Sequence, residues 1–174
     1  MTDIKPSDVR RAAMDFLARR EHSRYEILCK LTRRLGDSPD LFEQEVGKLT
    51  KEGLQSDRRL AEAFIRARTN RGQGPVKIKM ELRNKQVSDE IITTAFEECG
   101  VDFRALAQSV AVRKFGDALR KVMDTEVQEP ELQAPAVQAP EALNIKALDV
   151  KTQARISRFM QQRGFSYEHI ASLY

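Results

Sequence analysis

Residues 57–87 read DRRLAEAFIRARTNRGQGPVKIKMELRNKQV, two amphipathic helices and the turn between them. Leu60, Ala61, Phe64, Ile65 and Ala67 recur at helical spacing, so 57–71 predicts a helix with an apolar stripe against a core. Arg68 falls on that stripe by helical angle and reads as a snorkelling or ion-paired structural arginine. The turn Arg71-Gly72-Gln73-Gly74-Pro75 opens a second helix over 75–86, with proline at the first position, where a missing N–H does no harm. The same turn leaves amides with little side-chain cover, so a phosphate seat is its second reading. Within 75–86, Pro75, Ile78 and Leu82 face inward, Lys79 and Arg83 lie i,i+4 on a solvent side, and Lys77 lies on another.

Working outward, the pair Ile78/Leu82 has counterparts in Ile27/Leu31 and Ile156/Met160. Each pair is followed by a break and a serine that starts another helix: Ser38, Ser88 and Ser166. Val87-Ser88 aligns with Phe165-Ser166. This periodicity predicts an all-α chain of tandem three-helix, helix-turn-helix-like repeats: repeat 1 over 8–54, repeat 2 over 55–100, and repeat 3 over 101–174, interrupted at 117–149. The predicted helices are 8–21, 24–35, 39–53, 57–71, 75–86, 89–99, 102–115, 150–163 and 167–173. Ser23-x-x-Glu26 is a capping box, and Ser38-Pro39 sets an N-cap before a proline. Gly36, Gly53, Gly72, Gly100, Gly116 and Gly164 stand where the periodicity stops, as left-handed C-caps do.

The interruption at 117–149 contains QEPELQAPAVQAPEALN, with prolines at 130, 135 and 140. Proline at that spacing forbids a continuous helix, and the flanking residues offer little to pack, so the segment reads as an acidic, extended linker. Its seven acids and three bases give it −4, which leaves +8 on the rest of a chain whose net charge is +4. A tolerated loop expansion explains it; competition of the acids with an anionic partner is the sharper alternative.

Charge is segregated. The windows 24–35, 75–86 and 151–163 hold twelve Lys and Arg against two acids, Glu26 and Glu81, whereas 88–99 holds four acids and no base. Basic faces on matching helices point to a polyanion or an acidic protein groove. The candidate binding residues are therefore Lys77, Lys79, Arg83, Lys85, Arg155, Arg158 and Arg163, with Arg66 and Arg71 at the rim. No catalytic or metal-binding residue and no cofactor is expected. There is no GxxxxGK[ST], Gly72-x-Gly74 lacks the third glycine of a dinucleotide site, and His22 and His169 are far apart without clustered cysteines. Cys29 and Cys99 suggest reduced thiols rather than a disulfide framework. No run approaches the roughly 18 apolar residues of a spanning helix, and the first residues do not read as a secretory signal. A cytoplasmic protein is the expectation.

These residues together resemble the RecX family of bacterial regulators of the RecA recombinase. The resemblance is densest at 53–87: Asp57 and Arg59 opening the helix, then Ala61, Phe64, Arg68, Gly72, Gly74-Pro75, Ile78 and Glu81-Leu82. It continues through Asp102, Ala105, Leu106, Ala107 and Arg113-Lys114-Phe115-Gly116, and through Arg158-Phe159 and Arg163-Gly164-Phe165 near the end. ARREHSRYEILCKL (18–31) fits the first unit. Leu60 stands where an aromatic is common, and Gln86 where the family usually has glycine. The resemblance implies an elongated, curved array of repeats. It also implies binding to the RecA–DNA filament with inhibition of ATP hydrolysis and strand exchange, weak DNA binding without sequence preference, and no enzymatic activity. A monomer without membrane contact is expected. The alternatives are a helix-turn-helix transcriptional regulator, disfavoured by the acidic 88–99 window, and a scaffold, disfavoured by the segregated basic faces.

Overall fold

The computed structural model describes residues 4–126 and 148–173. Among them are nine helices and no strand: α1 (Pro6–Leu17), α2 (Arg24–Leu35), α3 (Pro39–Lys51), α4 (Asp57–Asn70), α5 (Pro75–Asn84), α6 (Asp89–Glu98), α7 (Phe103–Glu126), α8 (Val150–Arg163) and α9 (Tyr167–Ala171). The chain divides into two compact units, one made of Met1–Ala67 with Lys79–Gly100, the other of Arg68–Ile78 with Val101–Tyr174.

In the first unit α1, α2 and α3 pack on one another around Val9, Ala13, Ile27, Leu31, Phe42, Val46 and Leu49. The local chemistry sets the element ends. The Ser23 hydroxyl accepts from the Glu26 amide at 3.0 Å while the Glu26 carboxylate accepts from the Ser23 amide at 3.1 Å, completing the capping box at the start of α2. The Asp-x-Arg motif fastens the start of α4. Asp57 accepts from the Arg24 amide (2.9 Å) and from the Gln55 side chain (2.8 Å). Arg59 pairs with Glu21 (2.9 Å) and donates to the carbonyls of Gly53 (2.8 Å) and Leu54 (3.0 Å). Both motif residues therefore hold the backbone together.

In the second unit α7, α8 and α9 pack around Ala107, Val110, Ala111, Ile156, Met160, Phe165, Ile170 and Leu173. Asp149 caps α8 by accepting from the Thr152 amide at 3.1 Å, and Gly164 ends it with φ 85°.

The structure corrects four local expectations. Helix α7 does not stop at 115; its backbone runs to Glu126, and Gly116 lies inside it rather than in a left-handed cap. A glycine inside a helix costs only about 1 kcal/mol against alanine, and DALRKVM, which follows it, is mostly good helix formers (Ala118, Leu119, Arg120, Lys121, Met123). The linker reading thus fails for 117–126, while its proline-rich part, 127–147, lies outside the described residues. Leu148 and Asp149, assigned to that linker, are a core residue and a helix cap. Ser38 precedes α3 with φ −158° and makes no side-chain cap, so Pro39 alone marks that helix start. On α4 Leu60, Ala61 and Ile65 are buried as expected and the buried line runs on to Thr69; Ala67 is exposed, since it sits about 200° round the helix from Ile65.

Candidate functional site

The sequence-singled cations fall in both units and differ in how far the protein already uses them. In the first unit, Lys85 is the most committed. Its side chain is 22 % exposed, its ammonium donates to Glu26 at 2.6 Å, and it stands 5.5 Å from the centre of the Phe64 ring. Burial would raise the Glu26 pKa, but hydrogen bonds from Lys85, Arg20 and the Ser23 amide more than reverse this and hold it at about 2. Arg83 is exposed yet paired with Asp89 at 2.6 Å. The Lys79 ammonium lies 4.9 Å over the Phe96 ring. Arg66 is exposed on α4.

In the second unit the RGQGP turn and the end of α8 meet. The Gly74 amide donates to the Arg163 carbonyl (2.8 Å) and the Val76 amide to the Gly164 carbonyl (3.0 Å). The Gly72 and Gln73 amides are taken by the carbonyls of Thr69 (2.8 Å) and Arg68 (3.1 Å). The turn therefore has no free amide to offer a phosphate, and its structural reading is the right one. Close approach explains the glycines. A Cβ on Gly74 would stand 2.5 Å from the Phe165 nitrogen, and one on Gly164 2.6 Å from the Lys77 nitrogen. Arg163 closes the junction by donating to the Arg71 carbonyl at 2.8 Å while its guanidinium lies 5.2 Å over Phe159. Arg71, Lys77 and Arg163 are thus gathered at one junction. Arg155 and Arg158 stand apart from it on the exposed side of α8, with no ion-pair partner among the described residues.

The outer side of α5 is not purely basic. Val76 is 54 % exposed and Met80 52 %, one helical turn apart, with Arg83 a turn further on. Sequence reasoning counted Lys30, Arg33 and Arg34 in a basic window but left them out of the candidate binding residues, and it missed that with Arg19 they surround Phe16 and His22 in the first unit. The signal was available: an Arg19-Arg20 pair just before the Ser23 cap, then Lys30, Arg33 and Arg34 at i,i+3,i+4.

No described helix is long and apolar enough to cross a membrane. Among the described residues no group of three or more His, Cys, Asp or Glu is placed to hold a metal ion.

Residues 56–95, which take in α4, α5 and most of α6, match the family model described as RecX, second three-helix domain. Over 165 residues the chain is 34 % identical to Regulatory protein RecX of a Pseudomonas fluorescens strain, covering 95 % of this chain and 88 % of that one. The chain belongs to the RecX family. A RecX from Halorhodospira halophila is 46 % identical over 108 residues, 62 % of this chain and 66 % of its relative. The crystal structure of RecX from Lactobacillus salivarius superposes with a TM-score of 0.69 at 22 % identity, covering 97 % of this chain and 93 % of the other, a likeness of fold. With RecX structures as neighbours and a three-helix domain matched at its centre, the fold is the all-α, three-helix-repeat fold of RecX.

Proposed function

We propose that this chain regulates the RecA recombinase: it binds the RecA–DNA filament and lowers its ATP hydrolysis and strand exchange, in DNA repair, recombination and the SOS response. The observation that carries the reading is the 34 % identity, over nearly the whole chain, to a protein named Regulatory protein RecX. The cations of α5 and α8 support it. Arg155 and Arg158 are exposed and have no ion-pair partner among the described residues, as residues waiting for an external anion do. The mixture of Val76 and Met80 with Arg83 on α5 suits a protein partner better than bare phosphates, which reward charge alone.

In this reading the chain is not an enzyme, acts in the cytoplasm as a monomer, and contacts DNA weakly and without sequence preference. Its working divisions are the three repeats 8–54, 55–100 and 101–174. A sequence-reading transcriptional regulator is disfavoured because α6, the third helix of its repeat, begins with Asp89 and Glu90 and ends with Glu97 and Glu98, which phosphates repel.

The test is RecA ATP hydrolysis on single-stranded DNA with this protein added at substoichiometric ratios. Inhibition far below one molecule per RecA is the expected result. Absence of inhibition at excess, with salt-dependent DNA binding retained, would overturn the reading.

A further inference from the structure

Helices α1 and α2 and the loop between them form an open pocket of about 270 Å³, lined by Phe16, Arg19, His22, Lys30, Arg33 and Arg34. Nothing in the binding assignment above uses it. Its floor is hydrogen-bonded, and most of its charge has no ion-pair partner among the described residues. His22 is buried; its Nδ1 lies 2.9 Å from the Arg20 carbonyl, and its Nε2 lies 2.6 Å from the Lys30 ammonium. An ammonium can only donate, so Nε2 accepts, Nδ1 carries the proton, and the imidazole is neutral. Burial, the foremost cause, pushes the His22 pKa down, in keeping with that tautomer. Lys30 then lies 5.1 Å from the centre of the Phe16 ring and Arg34 5.7 Å from it.

The acids nearby are spent elsewhere. Glu21 pairs with Arg59, and Glu26 with Arg20 and Lys85. Asp15 pairs with Arg34 at 3.2 Å, the only carboxylate bound to a lining cation among the described residues. Arg19, Lys30 and Arg33 are left without an ion-pair partner among those residues. Burial first, then the charge of Arg20, lower the Lys30 pKa, with Glu26 opposing them, so an anion placed on Lys30 would favour its charged form.

We propose that this pocket binds single-stranded nucleic acid, with Arg19, Lys30 and Arg33 on the phosphodiester oxygens and an unpaired base lying against Arg34 and Phe16. One protein carboxylate would neutralise one of these three cations, whereas a strand brings a phosphate with every nucleotide. The Arg34 guanidinium, backed by the Phe16 ring, gives a base a plane to stack on, and only an unpaired base can reach into a concavity. The inference rests on the part of the proposed function in which the chain meets DNA and needs nothing of RecA.

The full chain tests it without RecA. It has two histidines, and His169 lies in the other unit against Ser166, so the two imidazole Cε1–H proton resonances separate pocket from background. Titration with a short oligothymidylate is expected to shift the His22 resonance and leave that of His169 in place. The Arg19→Glu/Arg33→Glu variant, altered only at exposed residues, is expected to bind the oligonucleotide at least about tenfold more weakly. Its log–log salt slope should be shallower by about 1.4, the loss of two phosphate contacts. An unmoved His22 resonance, or unchanged affinity and slope in the variant, overturns the proposal while leaving inhibition of RecA to be judged by its own assay. A shift produced by poly-L-glutamate and not by oligothymidylate overturns it in favour of an acidic protein partner.

Discussion

Two residues carry opposite predictions from the same backbone argument. Gly74 has no room for a side chain, because Gly164 and Phe165 backbone atoms occupy the space where its Cβ would go. Gly74→Ala must push the RGQGP turn off the end of α8 and strain the bonds of the Gly74 and Val76 amides. The expected loss is about 2 kcal/mol, read as a lower urea midpoint. Gln86 is the one described non-glycine residue with positive φ, 58°, and it is exposed. A left-handed conformation costs a side-chain-bearing residue about 1–2 kcal/mol, and the greater freedom of an unfolded glycine returns part of that. Gln86→Gly is therefore expected to stabilise by up to about 1 kcal/mol; an unchanged or lower midpoint would show that Gln86 has a compensating role. Legibility at this scale was uneven. Apart from Gly116, the glycine pattern stood in the sequence, because positive φ is a local property. Gln86 did not, since a residue other than glycine there predicts a helix end without its usual cap, and Gln86 takes the left-handed cap conformation all the same. Lys85 shows what did not. Helical angle marks it as basic, yet its partner Glu26 is 59 residues away, and no local rule anticipates that pair.

At the scale of the element, the start of α2 is where pH should act. Glu26 closes the capping box, pairs with Lys85 and Arg20, and has its pKa held at about 2 against an ordinary 4.5. A carboxylate depressed by folding stabilises fully above its unfolded value and loses that contribution as pH falls through the folded one. Stability should thus drop by about 3 kcal/mol at most between pH 5 and 2. His22 acts in a neighbouring window with the same sign. Its pKa is lowered, so the folded state prefers the neutral ring, and its contribution is complete above pH 6.5 and declines below it. Glu26→Gln should be less stable than the wild type at neutral pH, and its urea midpoint should lose the fall between pH 5 and 2. A variant that keeps that fall would assign it to other carboxylates. Most element boundaries were readable because caps are written locally, in Ser23-x-x-Glu26 and in Gly164. The end of α7 was not, since Gly116 looks like a terminator in sequence, whereas the helix-forming residues beyond it carry the backbone on to Glu126.

For the whole molecule, what matters is which cations are left for a partner after the fold has used its share. The sequence presents twelve basic residues in three matching windows, and helical angle ranks them only by the face each occupies, which favours Lys77, Lys79, Arg83, Arg155 and Arg158 alike. The structure ranks them by what they already touch. Lys85 and Arg163 hold internal contacts, Arg83 has Asp89, and Lys79 has the Phe96 ring, whereas Arg155 and Arg158 have no ion-pair partner among the described residues. A cation with an internal partner must give it up before meeting a phosphate or a carboxylate on RecA, so its net contribution to binding is smaller. Charge reversal separates the two sets. Arg155→Glu/Arg158→Glu changes exposed side chains outside any described ion pair and should leave stability within about 0.5 kcal/mol of the wild type, while raising severalfold the concentration needed to inhibit RecA ATP hydrolysis. Lys79→Glu/Arg83→Glu should weaken inhibition less and also cost some stability, because a carboxylate at position 83 would face Asp89 with like charge. The comparison is made by running both variants in the ATPase assay beside urea denaturation. If the α8 variant inhibits as the wild type does while the α5 variant fails, the partner is read by α5 through its mixed apolar and basic side, and the availability argument is wrong. If both inhibit normally, electrostatics on these two helices is not how the filament is held, and the pocket between α1 and α2 becomes the first place to look.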